Sequence, residues 1–211
     1  MAERLWALGI VKTSERDYAR AAEALEESLA LRRERGDAQG AAVSQATLGV
    51  VALNVGDLAR ARALLEEALE THRGRNDRWG QALVQAMLGH VELESGAVGR
   101  ARELFGESAA GLQAIGNVLY LPWCLEGLVG VAAASGHAVR AARLCGAHEV
   151  LRERIGSAML PLYPAGYERA CATARAALSD ADFAAAVAAG RSSPVEIVIA
   201  AALEPAGETA P

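Results

Sequence analysis

Apolar residues in this chain recur at an offset of 40 residues, without gaps, through four copies. Two registers carry the pattern most clearly: Leu8, Leu48, Leu88 and Leu128, and Val11, Val51, Val91 and Val131. A fixed period of this length indicates stacked units, each of which buries its apolar face only against its neighbours. The pattern therefore predicts an array of repeats rather than one globular core.

Each copy contains two helical stretches separated by turn residues. In the second copy, Asp37 is expected to cap a helix from residue 38 to about residue 55, which Gly56 ends. Asp57 is expected to cap a second helix, which runs to about residue 73 and carries apolar residues at three- and four-residue spacings. Each copy is therefore predicted to be a helical hairpin, and the fold class to be all-α.

The pattern divides the chain into three parts. Residues 1–160 hold the four hairpins. Residues 161–203 are predicted to form a helical cap, because the last unit of a repeat array must cover an apolar face. Its three helices are expected to begin near Pro164, Ser179 and Ser193, with capping boxes at Ser179 and Ser193. Residues 204–211, EPAGETAP, have the composition of a flexible tail.

Composition agrees with closely packed helices, since alanine is the most frequent residue and aromatic residues make up only 4% of the chain. The net charge of −5 and the lack of a basic tract argue against direct nucleic-acid contact. No stretch has the length and apolarity of a membrane span or a secretory signal, so a cytoplasmic location is expected. The three cysteines form no C-x-x-C pair and are expected to be buried apolar residues.

The sequence contains no arrangement of residues that predicts catalysis. The four histidines are widely spread, and neither a phosphate-binding loop nor a G-x-S-x-G motif occurs. We therefore expect a protein that is not an enzyme and that binds neither a metal nor a cofactor.

The second copy resembles a tetratricopeptide repeat. The matching positions are Leu48-Gly49, the inter-helix turn Gly56-Asp57, the small residues Ala61 and Ala68, and the large apolar residue Leu65. The resemblance implies a right-handed superhelical solenoid of helical hairpins. Two features depart from the family: the period is 40 residues instead of 34, and the late proline is missing.

The longer period also occurs in a narrower group. The phrases GDLARARALLEE at residues 56–67 and DRWG at residues 77–80 resemble the MalT-like repeat region of LuxR-family bacterial transcriptional regulators. This resemblance implies a sensor or interaction region, with an ATPase module upstream and a helix-turn-helix domain downstream.

Solenoids of this kind present a concave groove lined by the first helix of each hairpin. The candidate groove residues are Asn54, Leu83, His90, Glu94, Trp123 and Glu126. This mostly apolar surface suits a protein, a peptide or a small apolar ligand. The ordinary alternative for each polar member is a solvated or locally hydrogen-bonded position, and the ordinary alternative for Trp123 is core packing. The arginine column Arg20, Arg60, Arg100 and Arg140 suits an anion track or pairing with acidic neighbours.

The sequence is also compatible with two other functions. The chain is alternatively a stand-alone adaptor that docks a peptide or a partner helix in its groove. Self-association through the N-terminal hairpin is a third reading, because the chain begins inside a hairpin without an evident cap.

Overall fold

The computed structural model describes residues 1–156 and 162–204, which form eleven α-helices and no strand. The predicted all-α class is confirmed. Residues 157–161, where the predicted hairpins meet the cap, lie outside the described residues, as does the predicted tail apart from Glu204. The helices are α1 Ala2–Ser14, α2 Tyr18–Glu34, α3 Ala38–Asn54, α4 Leu58–Gly74, α5 Arg78–Glu94, α6 Val98–Ala114, α7 Leu121–Ala134, α8 Ala138–Ile155, α9 Pro164–Ala176, α10 Asp180–Ser192 and α11 Val195–Leu203.

The first eight helices are each followed by one residue with a positive φ angle. These residues are Arg16, Gly36, Gly56, Asn76, Gly96, Gly116, Gly136 and Gly156. An aspartate follows four of the turns and accepts a hydrogen bond from the backbone N–H three residues later: Asp17, Asp37, Asp57 and Asp77. The caps at Asp37 and Asp57 are those predicted, and the two helices end within a residue of their predicted limits.

Adjacent helices approach closely where a glycine of one helix meets a large side chain of the next. The pairs are Gly9 with Leu25, Gly49 with Leu65, and Gly89 with Phe105, and a Cβ at each glycine would lie 2.5–2.7 Å from its partner. This contact recurs every 40 residues along the first three copies. In the fourth copy Val129 and Cys145 occupy the two positions, so a larger residue stands where the others have glycine.

Odd-numbered helices form one continuous face of the molecule. Beyond the contacts between consecutive helices, α1 packs on α3, α3 on α5, α5 on α7, and α7 on α9. Helices α3, α5 and α7 bury residues all around their circumference, whereas α2, α4 and α6 bury one stripe. The candidate groove residues therefore belong to the more buried set of helices.

The C-terminal helices pack against the end of this array. Helix α9 contacts α7 and α8, and α11 contacts α6, α7 and α8. Helix α10 lies directly on α8, because Gly146 and Gly190 leave room for backbone contact. A Cβ at Gly146 would collide with the carbonyl of Val187, and one at Gly190 with the carbonyl of Arg143. Within the described residues no single helix is long and apolar enough to cross a membrane; α10 and α11 reach that only together, across a 120° bend.

Ser179 is the N-cap of α10, but the predicted capping box is only partly formed, because the Asp182 carboxylate accepts from the Ser179 hydroxyl at 2.7 Å. The Ser179 hydroxyl accepts a hydrogen bond from the Asp182 N–H at 3.1 Å, as predicted. The predicted box at Ser193 is wrong, because its hydroxyl donates to the Ala189 carbonyl at 2.8 Å. Ser193 thus completes the end of α10, and α11 begins after Pro194 without a side-chain cap.

Candidate functional site

The structure divides the six candidate residues into two groups. The first group contacts the C-terminal part of the chain, and its members are Asn54, His90, Glu94 and Glu126. Leu83 and Trp123 line an open cavity, together with Asn54.

Glu126 lies inside the protein, with 1% of its surface exposed. One carboxylate oxygen accepts a hydrogen bond from the Leu162 N–H at 3.2 Å. The other accepts from Nε2 of His148 at 3.1 Å, and Nδ1 of His148 lies 3.0 Å from the Tyr167 hydroxyl. A buried carboxylate needs such partners, because an unpaired charge is expensive to bury. Glu126 therefore fastens the start of the C-terminal part to α7.

Glu94 and Asn54 hold the same stretch of chain. Both carboxylate oxygens of Glu94 accept from one Arg169 Nη2, at 2.6 and 2.7 Å, and the Tyr163 hydroxyl donates to Glu94 at 3.3 Å. The Asn54 amide donates to the Leu162 carbonyl at 3.3 Å. Leu162–Arg169, here called the groove segment, thus occupies the C-terminal half of the predicted groove.

His90 is also buried, with 3% of its surface exposed. Its Nε2 lies 3.2 Å from the Trp123 carbonyl, and its ring packs edge-on against Phe105 and Tyr163 at centroid distances of 5.0 and 6.3 Å. Burial lowers the pKa of His90 below its usual value, against the opposing effect of the Glu126 charge. His90 is therefore held as a packed imidazole and donates to the backbone of α7.

The N-terminal half of the face encloses a cavity of about 470 Å³, here called the aromatic cavity. All three tryptophans of the chain and two of its four tyrosines line it: Trp6, Trp79, Trp123, Tyr18 and Tyr120. Aliphatic residues of α3 and α5, including Leu83, complete the wall. Since the chain is poor in aromatic residues, this concentration at one place is its most distinctive chemical feature.

The aromatic side chains are fixed by contacts with one another and with the wall. Tyr120 packs edge-on between Trp79 and Trp123, at centroid distances of 5.8 and 5.0 Å. The indole N–H of Trp6 donates to the Thr47 hydroxyl at 3.0 Å. The cavity is thus largely pre-formed, which lowers the entropy that a ligand loses on binding.

The polar groups of the aromatic cavity are few. The Tyr18 hydroxyl donates to the Asn54 side-chain oxygen at 3.3 Å, so Asn54 links the cavity to the groove segment. Arg16 is the charged lining residue besides the ionisable His72, and its guanidinium lies 4.0 Å from the Glu168 carboxylate. No carboxylate lines the cavity among the described residues. Its chemistry therefore suits an apolar or aromatic group rather than a cation.

The arginine column pairs with the chain itself. Arg20 lies 3.7 Å from Asp17, Arg60 lies beside Glu26, Arg100 lies 2.9 Å from Glu103, and Arg140 donates to the Glu204 carbonyl at 3.1 Å. These contacts favour pairing over an anion track. In the part of the chain that the structure describes, no group of three or more His, Cys, Asp or Glu residues could hold a metal ion.

Of the lining residues, the sequence predicts Leu83 and Trp123 as groove residues but does not predict Trp6, Tyr18, Trp79 and Tyr120. A usable signal was present: each tryptophan lies in the first helix of a hairpin, although they occupy different registers. Each tryptophan occupies its repeat position in only one copy, so the 40-residue pattern of repeated residues does not indicate it.

Comparison with known proteins assigns no family to this chain. No protein-family model matches it, and no curated protein matches it.

Proposed function

We propose that this chain is a non-catalytic binding module whose ligand occupies the aromatic cavity. The observation that carries the proposal is the grouping of all three tryptophans around one open space of about 470 Å³. Cavities of this size hold small molecules or the anchoring side chains of a peptide. Tryptophan and tyrosine are also the residues that dominate binding energy at interfaces.

The proposed architecture is a tetratricopeptide-like, right-handed superhelical array of four hairpins with a 40-residue period and a C-terminal helical cap. Besides the recurring glycine contacts, a second contact recurs after two periods. The Ser28 hydroxyl donates to the Ala2 carbonyl at 2.8 Å, and the Ser108 hydroxyl donates to the Ala82 carbonyl at 2.6 Å. These equivalent contacts support equivalent packing of the first and third hairpins.

The proposed ligand position is narrower than the groove predicted from sequence. Asn54, Leu83 and Trp123 remain ligand-contacting residues in this proposal, because they line the aromatic cavity. His90 and Glu126 are buried and serve to hold the groove segment and α7 in place. Glu94 has the same role through Arg169.

The aromatic cavity can be tested with 2-naphthol, an aromatic probe with one hydroxyl, by titration calorimetry on the whole chain. We expect saturable binding at one site, and a loss of affinity of about tenfold or more in Trp79→Ala. Trp79 suits this test because it is 39% exposed and its removal leaves the buried clusters intact.

The matched control is Phe183→Ala. It also removes one ring, but from α10, where Phe183 packs beneath the Arg175 guanidinium and outside the cavity. Its affinity for the probe should equal that of the unmodified chain. Equal binding by Trp79→Ala, or no saturable binding at all, would rule out the aromatic cavity as the site.

Within this proposal, the module is the sensor or interaction region of a LuxR/MalT-like transcriptional regulator. The support is the resemblance of residues 56–67 and 77–80 and the position of the cavity beside the groove segment. Leu162 and Pro164 belong to the cavity wall, so a ligand touches the segment that ties the cap to the array. A ligand with different affinities for two positions of that segment would shift their populations.

Two observations test the regulator role. First, we expect the gene for this chain to be fused to, or to lie beside, reading frames for an ATPase module and a helix-turn-helix domain. Small-angle scattering should also show a change in shape when the probe saturates the cavity. The sensor role would be excluded if the shape did not change at saturation and neither domain were encoded nearby. The binding proposal would still stand in that case.

A second candidate function is self-association through the N-terminal hairpin, and exposed apolar residues of that hairpin favour it. Leu8 and Val11 are 45% and 50% exposed, whereas their equivalents in the other three copies are buried. An apolar face of this kind binds partners or a second copy of the chain.

Sedimentation velocity over a range of concentrations tests this second candidate. Self-association should weaken in Leu8→Glu/Val11→Glu and persist in the control Val139→Glu, which places the charge on exposed Val139 of α8. A monomer at every concentration would exclude self-association through this face.

A further inference from the structure

We propose that Cys145 and Cys171 form a reversible intramolecular disulfide, which makes the α8–α9 contact a redox-modification site. The two thiols are free in the structure, with their Sγ atoms 3.2 Å apart. A disulfide bond requires about 2.05 Å, so the sulfurs need to approach by little more than one ångström. This proposal is independent of the aromatic cavity.

The two cysteines differ in exposure, which assigns them different roles. Cys145 is buried in the middle of α8, whereas Cys171 on α9 is half-buried and can be reached by a small oxidant. The expectation that all three cysteines are buried is thus wrong for Cys171. Cys171 packs against the large hydrophobic cluster from α9 and stays partly exposed there.

Hydrogen bonding supports the same assignment. The Cys145 thiol donates to Cys171, and this bond lowers the pKa of Cys171 below its usual value. The same bond, together with burial, raises the pKa of Cys145. Cys171 is therefore the better nucleophile, since the thiolate is the reactive form.

The oxidant is a hydroperoxide, here hydrogen peroxide. The Cys171 thiolate attacks one peroxide oxygen; the S–O bond forms, the O–O bond breaks, and the leaving hydroxide is protonated to water. The Cys145 sulfur then attacks the resulting sulfenic acid. The S–S bond forms, the S–O bond breaks, and the Cys145 proton leaves with the hydroxide as a second water. Two thiols lose two electrons and two protons, and one peroxide becomes two waters.

The disulfide would join the helix that carries part of the groove segment to the array. Tyr167 and Arg169, which contact His148 and Glu94, precede Cys171 on α9. Oxidation would therefore fix α9 against α8 covalently, and a dithiol reductant would release it.

The test is peroxide treatment of the native full chain, then blocking of all remaining thiols with N-ethylmaleimide in guanidinium chloride, and tryptic mapping without reductant. We expect a disulfide between the peptides of residues 144–152 and 170–175, with one blocked thiol left, that of Cys124. Addition of dithiothreitol should restore three reactive thiols. Cys124 is a suitable control because it is fully buried, and burial raises its pKa to about 12.

Variants separate the two steps. Cys124→Ser should form the same disulfide. Cys145→Ser should stop at the sulfenic acid of Cys171, which dimedone then traps, and Cys171→Ser should give neither product at Cys145. Circular dichroism of each variant confirms that it is folded. Three blocked thiols after peroxide treatment, a link between two chains, or a link that includes Cys124 would overturn the proposal.

Discussion

Phe105 shows how single residues set the spacing of these helices. Its ring is fully buried and lies against two glycines, Gly89 of α5 and Gly127 of α7, while the His90 ring packs on its edge. A Cβ atom at either glycine would collide with the Phe105 ring. Because these two glycines lack a Cβ atom, the large Phe105 ring of α6 fits between α5 and α7.

Gly89→Ala should destabilise the protein by about 1–3 kcal/mol, because the new Cβ would lie 2.6 Å from a ring that has no room to move. Gly99→Ala is the control: Gly99 is exposed near the start of α6, and nothing lies within 4 Å of its Cβ position. Alanine there should be neutral or slightly stabilising. Chemical denaturation measures both, and equal free energies of unfolding for the two variants would contradict the tight contact.

His90 should make stability fall in mild acid. Burial lowers its pKa in the folded state, so below about pH 6.5 the unfolded chain takes up a proton that the folded chain resists. Its contribution is thus complete above the unfolded pKa and is lost as the pH falls, by up to about 1.4 kcal/mol per pH unit.

The check is the pH slope of the free energy of unfolding between neutral and mildly acidic pH. His90→Gln should show a smaller slope, because the amide does not titrate. His137→Gln, at the start of α8, should keep the slope of the unmodified chain. Identical slopes in all three proteins would mean that His90 titrates alike in both states.

At the scale of elements, the stretch that begins the C-terminal part depends on a few polar contacts with α3, α5, α7 and α8. Glu126 is the central one, since it binds the Leu162 N–H and His148 at once. Glu126→Ala should destabilise the protein by about 3 kcal/mol or more, because two buried donors lose their acceptor.

Hydrogen exchange should place that loss mainly in α9. Glu103→Ala, which removes a 62% exposed carboxylate paired with Arg100, should change stability by no more than about 0.5 kcal/mol. Unchanged exchange in α9 of the Glu126 variant would show that the groove segment is held by its apolar contacts alone.

The helices of the repeated part could be predicted from sequence, but the path of the groove segment that follows them could not. Asp37, Asp57 and the recurring glycines fix helix ends through local dihedrals and hydrogen bonds, so their effect is visible in a single copy. The return of Leu162 to Asn54 depends on contacts 108 residues apart in a segment that belongs to no repeat. For the same reason, sequence placed Glu126 and His90 in an open groove that the chain itself fills.

At the scale of the whole molecule, the hydrophobic residues of the described ranges form two clusters of unequal size. A small one joins Ala21, Leu25, Leu48 and Val51, between the first hairpin and α3. The large one runs from α3 to α11. In the quasi-linear array proposed above, stability is a sum over neighbouring units, so the first hairpin should open without the rest.

Leu25→Ala should therefore accelerate hydrogen exchange in α1 and α2, after a loss of about 2–5 kcal/mol, and leave α8 to α11 unchanged. Leu65→Ala is the matched variant, because Leu65 has the same register one copy later and belongs to the large cluster. Its effect should spread over α3 to α6. Uniform acceleration along the chain in Leu25→Ala would indicate a single cooperative unit.

The grouping of every tryptophan around the aromatic cavity has a practical consequence. Indole emission from this protein, which in most folds averages over unrelated environments, here comes from one locality. A change in the wavelength or intensity of that emission reports on the cavity's hydration or occupancy, while events confined to α10 and α11 should leave it unchanged. The unmodified chain thus carries an intrinsic optical reporter, and compound libraries can be screened against it without a label.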